Sequence, residues 1–185
     1  LGAFDSQIIN DNPISLINQK TELLNRDLSK RSITILKNDS NIIPLQKIDS
    51  LKIAYVAIGS EDGDVFYDRI NNYVPVDKFY SSYNSDSLLR VLNSYDNIIV
   101  GLHFNNNNFW DSHKLQEKDS VLLSQICAQK PTIVNIFGHP KILNSIPDTD
   151  ASSIVLSYQN GDHFQDITAQ INFGSLGASG RIPIN

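Results

Sequence analysis

The sequence predicts an α/β fold: a three-layer sandwich with a mostly parallel sheet of about six strands, helices on both faces and an N-terminal arm. Two observations carry this. The run Asn97-Ile98-Ile99-Val100-Gly101-Leu102-His103 is short, apolar and rich in β-branched residues, as a strand buried on both faces of a parallel sheet should be. From Leu51 onward, similar runs alternate with amphipathic segments at helical spacing, which is the pattern of repeated βα units.

Leu1 to Pro13 holds Gly, Asn, Asp and Pro without periodicity and reads as an extended arm. Ile14 to Lys30 follows as a helix, with Leu16, Ile17, Leu23, Leu24 and Leu28 at mostly helical spacing and cations near its end that suit the helix dipole. Ser32 to Asp39 reads as a strand closed by a polar turn. Ile42-Ile43-Pro44-Leu45 then opens a linking segment, because proline holds the residue before it extended.

Lys52 to Gly59 is the first buried strand of the alternating series. Asp64 to Tyr73 is helical through Val65, Phe66, Ile70 and Tyr73, and Lys78 to Tyr83 is a second strand. Ser85 caps a helix reaching Tyr95, and the central strand comes next. After an Asn-rich loop, the longest helix runs from Ser112 or His113 to Lys130, with Leu115, Val121, Leu122 and Ile126 inward and Pro131 as its stop. Thr132 to Gly138 and Ser153 to Tyr158 are the fourth and fifth strands, joined by an irregular crossover from His139-Pro140 to Leu143. Asp162 to Phe173 forms the last helix, and Gly180 to Ile184 ends the chain as an extended edge.

The chain has 185 residues, 41% hydrophobic and 19% charged, the balance of an ordinary globular protein large enough for a substantial core. Its net charge of −5 and lack of a basic cluster argue against a nucleic-acid surface and a polybasic membrane anchor. No apolar run approaches the ~20 residues needed to cross a bilayer, so no membrane span is expected. Cys127 is the only cysteine and sits among Leu122, Leu123, Ile126 and Ala128. It reads as a buried small hydrophobe, with no cation nearby to make a reactive thiolate.

Most catalytic signatures fail on spacing. Gly59-Ser60-Glu61-Asp62-Gly63 lacks the glycine pattern of a dinucleotide turn, and its acidic pair would repel a pyrophosphate. Glu61, Asp62 and Asp64 could hold Mg²⁺ in a flavodoxin-like small-molecule enzyme. The central strand ends in Gly101-Leu102-His103, without the Asp such chemistry needs, so a solvated turn is the simpler reading. His103, His113, His139 and His163 have no zinc-ligand spacing, and each reads as a surface or capping residue. His103 and His113 could still meet across the Asn-rich loop with Asp111. Gly174-Ser175-Leu176-Gly177 and Gly177-Ala178-Ser179-Gly180 only approximate a G-x-S-x-G nucleophile elbow, and neither has a strand before it and a helix after it. No cofactor or metal is implied.

Several landmarks together resemble the C-terminal α/β sandwich domain of glycoside hydrolase family 3. Leu1-Gly2-Ala3-Phe4-Asp5 is similar to the segment leaving that family's catalytic barrel. Leu28 to Asp39, with Ile43-Pro44-Leu45 after it, resembles the family's A-x-x-S-I-T-L-L-K-N…L-P-L. Lys52 to Gly59 and Ile98 to Gly101 resemble its first and central strands, and Ala178-Ser179-Gly180-Arg181-Ile182-Pro183-Ile184 its closing x-S-G-R-L-P-V. The resemblance implies a linking arm and helix over residues 1–31, a sandwich over 32–185, and an N-terminal (β/α)₈ barrel of the same protein as partner. That barrel would carry the nucleophilic Asp.

In β-glucosidase-like members the loop after the central strand supplies a Glu acid/base. Here that loop, Phe104 to Asp111, has four Asn and no Glu. The resemblance therefore implies no catalytic residue in this chain and favours the β-N-acetylglucosaminidase-like branch, whose His–Asp pair lies on the barrel and whose bacterial members are often exported to the periplasm or medium. The chain is expected to buttress the barrel. His103, Asn105, Asn106, Asn107, Asn108, Trp110, Asp111 and His113 are the candidate contacts to a carbohydrate substrate, because amides bond sugar hydroxyls and an indole covers an apolar sugar face. A stand-alone carbohydrate-binding or scaffold domain is the alternative from another class.

Overall fold

The computed structural model describes residues 19–59, 63–104 and 114–182. A single sheet of six strands runs through them: β1 (Thr34–Asn38), β2 (Ile53–Gly59), β3 (Val76–Tyr80), β4 (Asn97–His103), β5 (Thr132–Phe137) and β6 (Ser153–Leu156). Their order across the sheet is β1-β6-β5-β4-β2-β3. All neighbours are parallel except β1, which pairs antiparallel with β6 and slips register between Ile35 and Lys37. The helices are α1 (Gln19–Ser32), α2 (Asp64–Asn71), α3 (Ser85–Leu92), α4 (Glu117–Gln129) and α5 (Asp162–Asn172).

The two-residue period of the strands sorts their side chains into two cores. Ala54, Val56, Ile58, Ile98, Val100, Leu102, Val134 and Ile136 pack with α3 and α4 through Leu88, Leu92, Leu122, Leu123 and Ile126. Ile53, Tyr55, Ala57, Ile99, Ile133 and Phe137 pack on the other face with Phe66 and Ile70 of α2 and Ile167 and Ile171 of α5. Because both faces are covered, β2, β4 and β5 are apolar along almost their whole length. That is why they were legible as unbroken runs. Cys127 is buried in the first core, where burial pushes its thiol up to about 11, so the reading of it as a packed hydrophobe holds.

Four local expectations need correction. Ser85 is the first residue of α3, and the cap is Asn84, whose side chain accepts from the Ser87 N–H at 3.0 Å. Among the described residues the longest helix is α1 by one residue, since α4 starts only at Glu117, and Leu115 is buried from the segment before it. Val121 is 54% exposed, not inward. It lies on the outer side of α4, while Leu122, Leu123 and Ile126 supply the inward stripe. Segment 180–182 is not an edge strand.

The Gly180 N–H instead donates to the Ile33 carbonyl at 3.1 Å, and a β-carbon at Gly180 would come within 2.0 Å of the Ser32 carbonyl oxygen. The two sequence landmarks around Ser32-Ile33-Thr34 and Ser179-Gly180-Arg181 thus meet in space. Only a glycine allows that backbone approach.

The N-terminal helix is held by one carboxylate. Asp166 of α5 accepts from Arg26 Nη1 of α1 at 2.6 Å, from Arg69 Nε of α2, and from Gln170 Nε2 at 2.7 Å. Three helices therefore share a single largely buried anion, with two charge-assisted bonds of the stronger kind. His163 Nε2 lies 2.7 Å from Glu22 Oε2 and adds a second tie between α1 and α5.

Candidate functional site

In an open α/β sheet, ligands bind beyond the carboxyl ends of the strands where the strand order reverses. Here β2 continues to β3 on one side, and the chain then returns to lay β4 on the other side of β2. The reversal falls between β2 and β4, whose last paired residues are Gly59 and His103. The backbone approach is close at this point: Gly59 has φ 98°, and a β-carbon there would sit 2.2 Å from the His103 carbonyl oxygen. Segments 60–62 and 105–113 follow these strand ends in the sequence.

His103 is 1% exposed, which corrects the expectation of a surface or capping residue. Its ring stacks on Phe137, with centroids 4.6 Å apart and planes within 8°. Nε2 lies 2.6 Å from the Tyr55 hydroxyl, and Nδ1 lies 2.7 Å from Asn160 Oδ1.

The protons in this chain can be assigned from one backbone donor. The Phe66 N–H donates to Gln165 Oε1 at 3.0 Å, so the other end of that amide is Nε2. Gln165 Nε2 donates to the Asn160 carbonyl at 3.0 Å and to Asn160 Oδ1 at 3.2 Å. Asn160 Oδ1 accepts, which places the His103 proton on Nδ1. In the neutral ring Nε2 is then an acceptor for the Tyr55 O–H. Burial, reinforced by the charge of Asp64 and by Tyr80, holds the Tyr55 phenol far above its usual range and keeps it a donor.

The Tyr55–His103 end of this network is buried, while Asn160 is half-buried. Tyr55 is fully buried and packs against Phe66 and Tyr67, with centroids at 5.5 and 6.1 Å. Gly101 beneath the pair and Gly63 at the start of α2 are both required to be small: a β-carbon on either would lie 2.5 Å from His103 Nε2 and 2.6 Å from the Tyr55 hydroxyl. The network links the end of β4, the start of α2 and the β6–α5 turn at Asn160. It fixes the end of β4, after which residues 105–113 follow in the sequence. Chemically it is a set of positioning bonds, since both ring nitrogens of His103 are engaged, Nε2 by Tyr55 in a buried contact and Nδ1 by Asn160 in a partly buried one.

Of the sequence-derived site residues, His103 is the one within the described region. Asn105, Asn106, Asn107, Asn108, Trp110, Asp111 and His113 lie outside the described residues, as do Glu61 and Asp62 of the acidic turn. Asp64 is described, and its carboxylate is exposed and engaged by Lys78 Nζ at 2.5 Å. Lys78 itself is largely buried between the rings of Tyr67 and Tyr80, with its ammonium 5.0 Å from each centroid. His139 caps the turn that follows it by accepting from the Lys141 N–H at 3.2 Å. Among the described residues no group of three or more His, Cys, Asp or Glu side chains is placed to hold a metal ion.

Tyr55, Asn160 and Gln165 are partners of His103 that sequence reading missed. Tyr55 interrupts an otherwise aliphatic strand and shares its face with Gly101 and His103, which was the available signal.

No family model and no curated protein sequence matches the chain. Solved structures do. A fungal multi-domain family 3 β-N-acetylglucosaminidase with a GCN5-related glucosamine N-acetyltransferase region matches with a TM-score of 0.72 and 18% identity, over 90% of this chain and 19% of that one. A family 3 β-N-acetylglucosaminidase from Paenibacillus sp. matches with a TM-score of 0.69 and 15% identity, over 93% of this chain and 34% of that one. A β-glucoside phosphorylase matches with a TM-score of 0.70 and 14% identity, over 91% of this chain and 32% of that one. What is shared is the fold. It is a family 3 glycosidase-like α/β fold, and this chain spans 19–34% of the length of these larger proteins.

Proposed function

We propose that this chain is the C-terminal, non-catalytic α/β domain of a family 3 glycoside hydrolase that removes terminal β-linked sugars. The observation that carries the reading is the fold likeness over nine-tenths of this chain to proteins several times longer, β-N-acetylglucosaminidases among them. The bond-breaking groups belong to a (β/α)₈ barrel encoded before Leu1, and this domain buttresses it. The segment Phe104 to His113, leaving the switch point from the anchored base at His103, forms one wall of the sugar site. Asn105, Asn106, Asn107, Asn108, Trp110, Asp111 and His113 are its contacts, and β-N-acetylglucosaminides are preferred to β-glucosides because the segment offers amides and no Glu. The protein acts after export to the periplasm or medium.

The test compares the full-length gene product with residues 1–185 alone on chromogenic N-acetylglucosaminide and glucoside. Turnover is expected from the full-length product, with the N-acetylglucosaminide the better substrate, and none from the 185-residue portion. Turnover by that portion alone sinks the proposal. Sugar binding by a gene product that has no barrel would mark a stand-alone binding module instead.

A further inference from the structure

The first helix is built inside out. Its face toward the rest of the domain is polar: Glu22 meets His163, Arg26 meets Asp166, and Ser29 is its one buried residue. Its large apolar side chains point the other way. Leu23, Leu24 and Leu28 are 69%, 56% and 55% exposed. An amphipathic helix on a globular domain ordinarily turns its apolar stripe to the core, and Leu24 and Leu28, four residues apart, lie one above the other on a single face. The helix is not simply peeling away from the domain, because Asp166 and the His163–Glu22 contact hold it in this orientation. The leucines are aimed outward by the same bonds that dock α1.

We infer that Leu23, Leu24 and Leu28 form the packing surface for an apolar patch on a domain preceding α1 in the same polypeptide. This rests on the reading above that such a domain exists, and it names the face that receives it. Two observations choose this occupant over a second copy of the chain. Three leucines on one helix fall far short of the roughly 20–30 residues a side that a stable standard interface uses. A surface this small serves where the partner is tethered, since a short connection turns docking into an intramolecular step at high effective concentration. Proteins sharing this fold also carry it as only 19–34% of their chains, so a tethered neighbour is available in that setting.

The test is hydroxyl-radical footprinting of the full-length gene product, read by mass spectrometry. Val121 on α4 and Val91 on α3 are the internal standards, because they are 54% and 46% exposed on the opposite layer. The peptide carrying Leu23, Leu24 and Leu28 is expected to oxidise several-fold more slowly than either standard. The variant L24K/L28K should restore oxidation at Leu23 and split one thermal transition into two, while V121K does neither. Cross-links from Lys30 to residues upstream of Leu1 complete the expectation.

Oxidation of α1 at the rate of the standards, with an upstream domain present, overturns the inference and leaves the proposed function standing. Cross-links only to residues 1–18, or only between differently labelled copies, overturn it in favour of the arm or of a dimer. A gene product with no upstream domain overturns the proposed function and this inference together.

Discussion

Gly101→Ala tests the buried network at the switch point most directly. The added methyl would lie 2.5 Å from His103 Nε2, 2.6 Å from the Tyr55 hydroxyl and 3.0 Å from a carbon of the Tyr55 ring, against about 3.5–4.0 Å for a comfortable contact. Neither ring can swing aside. His103 is stacked on Phe137, and Tyr55 is packed by Phe66 and Tyr67. Forcing a methyl into a filled core costs about 1–3 kcal/mol, and parting the Tyr55–His103 bond without water to replace it costs about 1–3 kcal/mol more. The expected loss of about 2–6 kcal/mol is a large share of the roughly 5–15 kcal/mol by which a domain is stable.

Urea unfolding should show it as a lower midpoint with unchanged slope. Because the cost is assigned to two named rings, removing one should return part of it. In a His103→Ala background the same Gly101→Ala change should cost at least about 1 kcal/mol less, as coupled neighbours do. A loss below about 0.5 kcal/mol in the parent, or an equal loss in both backgrounds, would refute the reasoning.

Asp166→Asn keeps the shape of the residue that joins α1, α2 and α5 but removes its charge. Since both arginines are partly exposed and can be rehydrated, the expected loss is about 1–2 kcal/mol, with faster amide exchange in α1 than in α4. Cys127 yields an alkaline signature. Its folded pKa of about 11 lies above the ordinary 9.0, so the unfolded chain releases the proton first. Stability is therefore full below about pH 9 and falls as pH rises toward 11; Tyr55, also raised by burial, acts in the same direction. Replacing Cys127 by Ala should flatten this decline in unfolding curves taken between pH 8.5 and 11, and a decline unchanged by the substitution would show that the thiol does not drive it. Gly63→Ala should resemble Gly101→Ala in urea, because its methyl would meet the same two atoms.

By itself, the sequence determined the layered α/β class, the strand cores and the burial of Cys127. Strands such as Ile98-Ile99-Val100 are covered on both faces and so leave an uninterrupted apolar run, and helices between them follow from spacing alone. It also placed the two landmark motifs that resemble a family 3 domain. The tertiary structure decided the rest. The sheet order, the antiparallel β1 and the switch point between β2 and β4 depend on pairings between residues far apart in sequence, which no local period encodes. His103 looked like a surface histidine because its partners, Tyr55, Asn160 and Phe137, sit on three other segments. The leucines of α1 have the spacing of a core stripe, yet the Arg26–Asp166 ion pair and the Glu22–His163 contact turn them to the outside. Periodicity says that a helix has an apolar face; only the contacts made by its other face say where that apolar face points.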